Sequence, residues 1–494
     1  MDSWPKYPTV YEINAWVWLG ELSRAHGRPL TLGDVPQAEL ERLAGYGFDA
    51  LWLMGVWERS PGARRISRTH PALLEEYGRT LPGYTEEDVV GSPYAIIGYR
   101  VAAEMGGDAG LARLRGRLRA LGLRLVLDFV PNHMAIDHPW VNTHPTRLVR
   151  GDEASLGREP QNYFRAGASA RVFAHGRDPY FDGWPDTVQL DFRRAETREA
   201  VTEDLLSVAS KCDGVRCDMA MLVTREVFLG TWGGEFDTPS AEFWPEACAR
   251  LRAVHPDFLL MAEVYWEMEY VLQRQGFDFA YDKRLYDRLL GDDADGVRAH
   301  LRAGLDYQGR LARFVENHDE RRAQEAFGAA RARAASALAL TLPGLRLLHE
   351  GQLEGRRTKL SVHLGRRPEE PADEGVAEHY RRLLAALSHS VFHEGEWRQV
   401  EPREAWDGNP SHRHFVASLW ASGEALRLTA ANLSAERAQC YLPLGPAALA
   451  NRAWLLRDLL GGASYERDGG GLLTPGLYLD VPAYGHHLFE ITPL

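Results

Sequence analysis

Over the first 350 positions, short runs rich in Val, Leu and aromatics recur, each followed after a loop by a stretch whose apolar residues lie three or four apart. Alternation of strand-like and helix-like segments predicts a parallel sheet. The predicted strands are Val10 to Trp16, Ala50 to Val56, Arg124 to Val130, Gly214 to Met219, Phe258 to Val264, Asp278 to Asp282, Arg313 to Glu316 and Leu345 to Glu350. Pro36 to Ala44, Leu111 to Leu121, Thr197 to Ser210, Pro245 to Val254 and Arg331 to Leu340 combine good helix formers with an apolar stripe. Gly-containing joints at Gly45 to Asp49 and Ala120 to Leu123 lead from helix into strand. Eight strands with interleaved helices favour a (β/α)8 barrel over an open doubly wound sheet.

The spacing is uneven. Residues 135–185 are polar, aromatic-rich and weakly periodic, and are read as a small domain inserted after the third strand. Trp57 to Arg100 is read as part of a cleft wall. From residue 395 the rhythm changes to short strands between turn residues: His414 to Trp420, Ala425 to Asn432, Gln439 to Leu442, Trp454 to Leu460, Leu477 to Val481 and Gly485 to Ile491. The expected organisation is a barrel from residues 1–134 and 186–394, the insert 135–185, and an all-β sandwich over 395–494, with Gly469-Gly470-Gly471 as a turn.

At 494 residues, 45% hydrophobic and 26% charged, the chain can build a large core. A net charge of -12 and the absence of a basic run argue against nucleic acid or an anionic membrane as partner, and for a neutral substrate. Cys212, Cys217, Cys248 and Cys440 are too few and scattered for a disulfide framework, and Cys212 with Cys217 lacks a second ligand pair for zinc, so buried reduced thiols are expected. Met1 to Lys6 shows no signal-peptide pattern and no run of about 18 apolar residues follows, which predicts a cytoplasmic protein. Oligomeric state is not legible.

On a barrel, the carboxyl ends of the strands carry the converging side chains. Here the third strand ends in Asp128-Phe129-Val130-Pro131-Asn132-His133, the fourth in Arg216-Cys217-Asp218, the fifth in Glu263, and the seventh in Glu316-Asn317-His318-Asp319. A carboxylate ending one strand is usually a cap or turn residue. Four in succession fit the breaking of a glycosidic bond with retention. That reaction needs a carboxylate nucleophile and a protonated acid about 5 to 5.5 Å apart, with the acid's pKa raised by its neighbour.

These segments resemble the signature regions of the α-amylase superfamily, glycoside hydrolase family 13, in order and spacing, and the resemblance extends over barrel, insert and β cap. It implies Asp218 as nucleophile, Glu263 as acid/base and Asp319 as transition-state stabiliser. It also implies Asp128, His133, Arg216 and His318 as residues holding the scissile sugar, with Tyr94 of Gly91-Ser92-Pro93-Tyr94 stacked beneath the ring.

Two departures stand out. Met221 and Leu222 occupy the positions where relatives carry a Lys-His pair against the leaving sugar, which suggests either an apolar wall or replacement of those contacts by other loops. Asn132 matches a residue that helps bind Ca2+ in many relatives. Asp178, Asp182 and Asp186 offer oxygens nearby, but a turn role fits them better, so a structural Ca2+ is allowed and not expected, and no cofactor is required. Asp319-Glu320-Arg321-Arg322 has an Asp-x-x-Arg spacing similar to that of relatives trimming chain ends. Trp57, Phe173, Trp184, Trp244, Tyr265 and Trp266 are candidate sugar-stacking aromatics.

The expected activity is retaining hydrolysis of α-glucosidic bonds in oligosaccharides or glucans. The alternative within the same family is transfer of the glucosyl unit to an acceptor other than water, as a transglycosylase, isomerase or phosphorylase. An inactive glycan-binding relative is disfavoured because no catalytic carboxylate is lost, and a nucleotide-binding protein because neither G-x-G-x-x-G after the first strand nor G-x-x-x-x-G-K-[ST] is present.

Overall fold

The computed structural model describes residues 3–168, 170–238, 240–445 and 449–494; Met1 and Asp2 of the N-terminal reading lie outside them. Eight strands close into a parallel barrel: β1 (Thr9–Asn14), β2 (Ala50–Met54), β3 (Arg124–Phe129), β4 (Gly214–Cys217), β5 (Leu259–Ala262), β6 (Phe279–Tyr281), β7 (Leu311–Arg313) and β8 (Leu345–His349). Their order around the barrel is β1-β8-β7-β6-β5-β4-β3-β2, closing on itself. Seven of the eight sit where the apolar runs predicted, because residues buried on both faces leave an unbroken apolar signature. The exception is β7: the ladder uses Leu311 to Arg313, and the Phe314-Val315-Glu316 run lies beyond it. Phe314 and Val315 are buried without pairing, so burial was mistaken for strand.

The register sets the depth of each functional group. Arg216 pairs with Asp128 across β4 and β3, and Glu12 with both Trp52 and His349 across β2 and β8. Asp218 and Glu263 each follow their strand by one residue, so both reach the carboxyl rim.

Between β2 and β3, ahead of the helix Gly107–Ala120, the chain makes a pair of helices, α1 (Pro61–Ser67) and α2 (Pro71–Thr80). Each starts with Pro at its first position, where the missing N–H costs nothing, and Ser60 caps the first by accepting from Ala63 N at 2.8 Å. The chain after β3 leaves and re-enters through an antiparallel pair, His133–Ala135 with Thr187–Gln189, and the excursion between them holds its own pair, Tyr163–Ala166 with Arg171–Ala174.

The C-terminal region forms a six-stranded antiparallel sheet and a two-stranded one, Ala438–Leu442 with Leu477–Val481, around a separate apolar cluster that includes Phe415, Leu428, Trp454 and Ile491. Two of its strands, Glu396–Val400 and Ser464–Asp468, have no counterpart in the sequence reading, and Gly469–Leu473 is a short helix, not a turn. It docks on the barrel through Trp420 Nε1, which donates to Thr341 O at 2.6 Å, and Arg298, which donates to Phe415 O at 2.6 Å. All four cysteines are free and buried. Among the described residues no helix is long and apolar enough to cross a membrane.

Candidate active site

Side chains alternate along a strand, so Arg216 and Asp218 share a face of β4 and point together into the barrel mouth. Arg216 is completely buried. Its Nη1 donates to Asp218 Oδ1 at 2.8 Å, while Nη2 lies 2.9 Å from Glu263 Oε2 and 3.7 Å from Asp319 Oδ2. One planar cation therefore gathers the three carboxylates that stand far apart in sequence. The faces of Trp52, Tyr94 and Tyr281 lie within 5.1 to 5.9 Å of the guanidinium and fix its plane.

The residue after Asp218 is held in a left-handed conformation, Met219 at φ 43° and ψ 46°, a geometry that costs a non-glycine residue about 1–3 kcal/mol and collects at functional sites. Its use is visible: Met219 N–H donates to Glu263 Oε2 at 2.6 Å. Trp244 Nε1 holds the following turn by donating to Ala220 O at 2.8 Å. The other oxygen of Glu263 accepts from the Tyr265 hydroxyl at 3.0 Å.

These surroundings set the charges. Burial pushes Glu263 up to about 7, opposed by Arg216 and reinforced by the negative Asp218 and Asp319. Burial also raises Asp218, to about 6, against the ion pair with Arg216. Asp319, whose side chain is 40% exposed to the mouth, goes the other way: the cost of burial is outweighed by His318 and Arg216, which hold it well below the usual carboxylate range. His318 is pushed up to about 10, because the pull of Asp319 and Glu12 exceeds the desolvation that would lower it. Near neutrality Glu263 thus keeps a proton that Asp218 and Asp319 have lost, which is the division of labour a retaining glycosidase needs.

Glu12, at the centre of β1, has no counterpart in the sequence reading. It is fully buried and contacts His318 Nδ1 through Oε1. His318 Nε2 in turn lies 2.6 Å from the Tyr94 hydroxyl and 3.0 Å from Asp319 Oδ2. A lone Glu within an apolar run carries no sequence signal; only the β1 register brings it beneath His318.

A cavity of about 370 Å³ opens above these groups, lined among others by Asp218, Glu263, Asp319, Tyr94, His133 and Trp184. Of the five predicted sugar-holding residues, Tyr94 and His133 line it. Asp128, Arg216 and His318 do not; they lie behind it, buried among the other site residues. Both oxygens of Asp128 are taken, by Trp52 Nε1 at 3.1 Å and Gly55 N at 2.9 Å. His133 packs on Trp184 at 5.0 Å between ring centres, and burial pushes its pKa down to about 4, leaving it neutral.

Other expectations need correction. Met221 and Leu222 are buried and form no wall of the cavity; Met219 does. Trp57, Phe173 and Trp244 are fully buried core residues, leaving Trp184, Tyr265 and Trp266 nearer the surface. Arg322 binds Glu316 Oε1 at 2.7 Å and Glu350 O at 2.7 Å, away from the cavity. Of the oxygens named for calcium, the Asn132 amide is paired with that of Gln189 at 3.0 and 3.3 Å, and Asp178 accepts from Tyr180 N and Phe181 N in the turn role expected of it. Among the described residues no group of three or more His, Cys, Asp or Glu could hold a metal. A larger hollow of about 1050 Å³, lined by Trp4, Tyr270 and Trp397, contains none of Asp218, Glu263 and Asp319.

A family model described as the α-amylase catalytic domain matches residues 37–370. Alpha-amylase MalA of Haloarcula japonica is 24% identical over 465 residues, covering 90% of this chain and 58% of its own length. An alpha-1,4-glucan:maltose-1-phosphate maltosyltransferase of Burkholderia pseudomallei is 27% identical over 293 residues, 55% of this chain and 21% of that protein. The chain thus spans well under two thirds of these relatives. Among solved structures, maltogenic alpha-amylase AmyB from Thermotoga neapolitana superimposes with a TM-score of 0.69 at 20% identity, covering 99% of both chains, and an alpha-amylase from Lactobacillus plantarum with 0.67 at 19%, covering 98% and 99%. With a catalytic-domain match over most of the barrel and the same closed eight-stranded fold, the chain belongs to the α-amylase family.

Proposed function

We propose that the protein is a retaining glycosidase of α-glucosidic bonds that works through a covalent glucosyl-enzyme. The observation that carries this reading is the grip of Arg216 on all three carboxylates, with Glu263 the one that holds a proton near pH 7. In the first step an Asp218 oxygen forms a bond to the anomeric carbon as the bond to the leaving oxygen breaks, and Glu263 gives its proton to that oxygen. In the second, Glu263, now a carboxylate, takes a proton from water as the water oxygen replaces Asp218. Asp319 faces the positive charge that builds on the ring, and Tyr94 offers its ring as a floor.

The test is mechanism-based trapping. A 5-fluoro-α-glucosyl fluoride slows the second step more than the first, so the wild type should gain the mass of one fluoroglucosyl unit on the peptide bearing Asp218. Asp218→Asn should gain none and turn over no substrate while melting as the wild type does. Labelling elsewhere, or none with an otherwise active enzyme, would refute the assignment.

Transfer to a sugar acceptor is the second reading, favoured by the likeness to a maltosyltransferase and by an exposed aromatic pair beside the acid, Tyr180 edge-on to Trp266 at 5.0 Å. Exclusive formation of longer sugars with negligible hydrolysis would select it.

A further inference from the structure

The catalytic groups do not decide where along a sugar chain the enzyme cuts; the walls of the cavity do. Chemistry sets the direction, since the departing oxygen must lie beside Glu263, so the leaving part of the substrate is on the β5 side. Barrel order puts β1 directly across from β5, with β2 and β8 flanking β1. The segments after β2 and β8 therefore face the retained, non-reducing part of the sugar.

Those two segments make one continuous wall. The α1–α2 pair contributes Ile66, Ser67, His70 and Leu73, and the loop after β8 contributes His363. The wall is built and pinned. Val90 N donates to His363 O at 2.8 Å, and Gly365 N to Asp88 O at 2.8 Å. Arg366 clasps Asp88 with two bonds of 2.8 Å. Behind it Tyr77, Leu81, Val89 and Leu364 form a small buried core of their own. His70 lines the cavity, and its buried Nδ1 has no hydrogen-bond partner among the described residues.

The opposite side is open. Past Glu263, Trp266 is 37% exposed and Tyr180 and Phe181 are 69% and 73% exposed, a platform on which sugar rings can stack. The cavity volume of about 370 Å³ is near the bottom of the roughly 300–1,000 Å³ usual for small-molecule sites, a size that suits a chain end.

We propose that the glycone side is a blind pocket, so that the enzyme removes one, at most two, sugar units from the non-reducing ends of α-glucosides and does not cut within a chain. This rests on the glycosidase reading above. The test uses wild-type protein with α-1,4- and α-1,6-linked heptasaccharides carrying a chromophore at the reducing end. Each is supplied with a free non-reducing end or with its terminal 4- and 6-hydroxyls tied into an acetal, and products are separated by chromatography. In at least one linkage series the free-ended chain should lose mono- or disaccharide stepwise, and its blocked counterpart should react at least a hundredfold more slowly. Blocked chains cut into internal fragments at a comparable rate would overturn the blind pocket and leave the glycosidase reading standing. No release from any chain or from p-nitrophenyl α-glucoside would overturn both.

Discussion

Replacing Arg216 with Lys tests whether one buried cation organises the site. Lysine keeps the charge but offers a single nitrogen in place of the two that contact Asp218 and Glu263 at 2.8 and 2.9 Å and approach Asp319 at 3.7 Å. At least one close charge-assisted bond is lost and the long third contact with it. At about 1.5–3 kcal/mol for a bond to a charged group, the close bond alone accounts for about 1.5–3 kcal/mol of organisation, and at about 1.4 kcal/mol per decade kcat/KM should fall at least tenfold and up to about 100-fold. The pH profile should move in a defined direction. The proposed mechanism requires Asp218 ionised, with its pKa at about 6, and Glu263 protonated, with its pKa at about 7, which predicts a narrow bell between those values for the wild type. Arg216 lowers both, so weakening it raises both, and the acidic limb of kcat/KM should move to higher pH. The assay is kcat/KM on an aryl α-glucoside from pH 4.5 to 9, with circular dichroism and a melting curve to establish that the variant is folded. A folded variant that keeps kcat/KM within tenfold and an unmoved acidic limb would refute the reasoning.

Glu263→Gln should cost far more on an alkyl or sugar leaving group than on a nitrophenolate, which departs without a proton; equal losses would contradict the acid role. His318 is raised from 6.5 to about 10, so its ion pairs stabilise the fold fully below pH 6.5 and are lost as pH rises through 10. Urea denaturation between pH 6.5 and 10 should therefore show a fall in stability that His318→Asn flattens, and parallel curves would remove the charge from His318. Met219→Gly should fold at least as stably as the wild type because glycine accepts φ 43° freely, whereas Met219→Val should lose stability and kcat together as the N–H swings off Glu263; equal melting temperatures for the two would show that the backbone there is unstrained.

The sequence revealed the barrel because its strands are buried on both faces, and it revealed the rim carboxylates because each ends an apolar run. It concealed what depends on long-range register. Glu12 lies 306 residues from His318, and nothing local marks it. The partners of Asp128, the Gly55 N–H and the Trp52 indole, stand more than 70 residues away along the chain and carry no local signal either. The α1–α2 pair has no counterpart in the reading of Trp57 to Arg100 as cleft wall; Pro61 and Pro71 each stand at a first helical position, where proline does not interrupt the helix. Trp57, Phe173 and Trp244 were ambiguous because an aromatic before a loop fits core and rim equally, and only burial separates the two.

Arg216 binds the three carboxylates from behind and is not itself a lining residue of the cavity, whereas Ile66, His70, Trp184 and His363 line its outer wall. Acidity and fit are in this way governed by separate residues. Redesigning the outer segments to admit a branched or longer sugar can proceed without retuning the proton on Glu263, which makes this scaffold a promising one for exchanging substrate while keeping turnover.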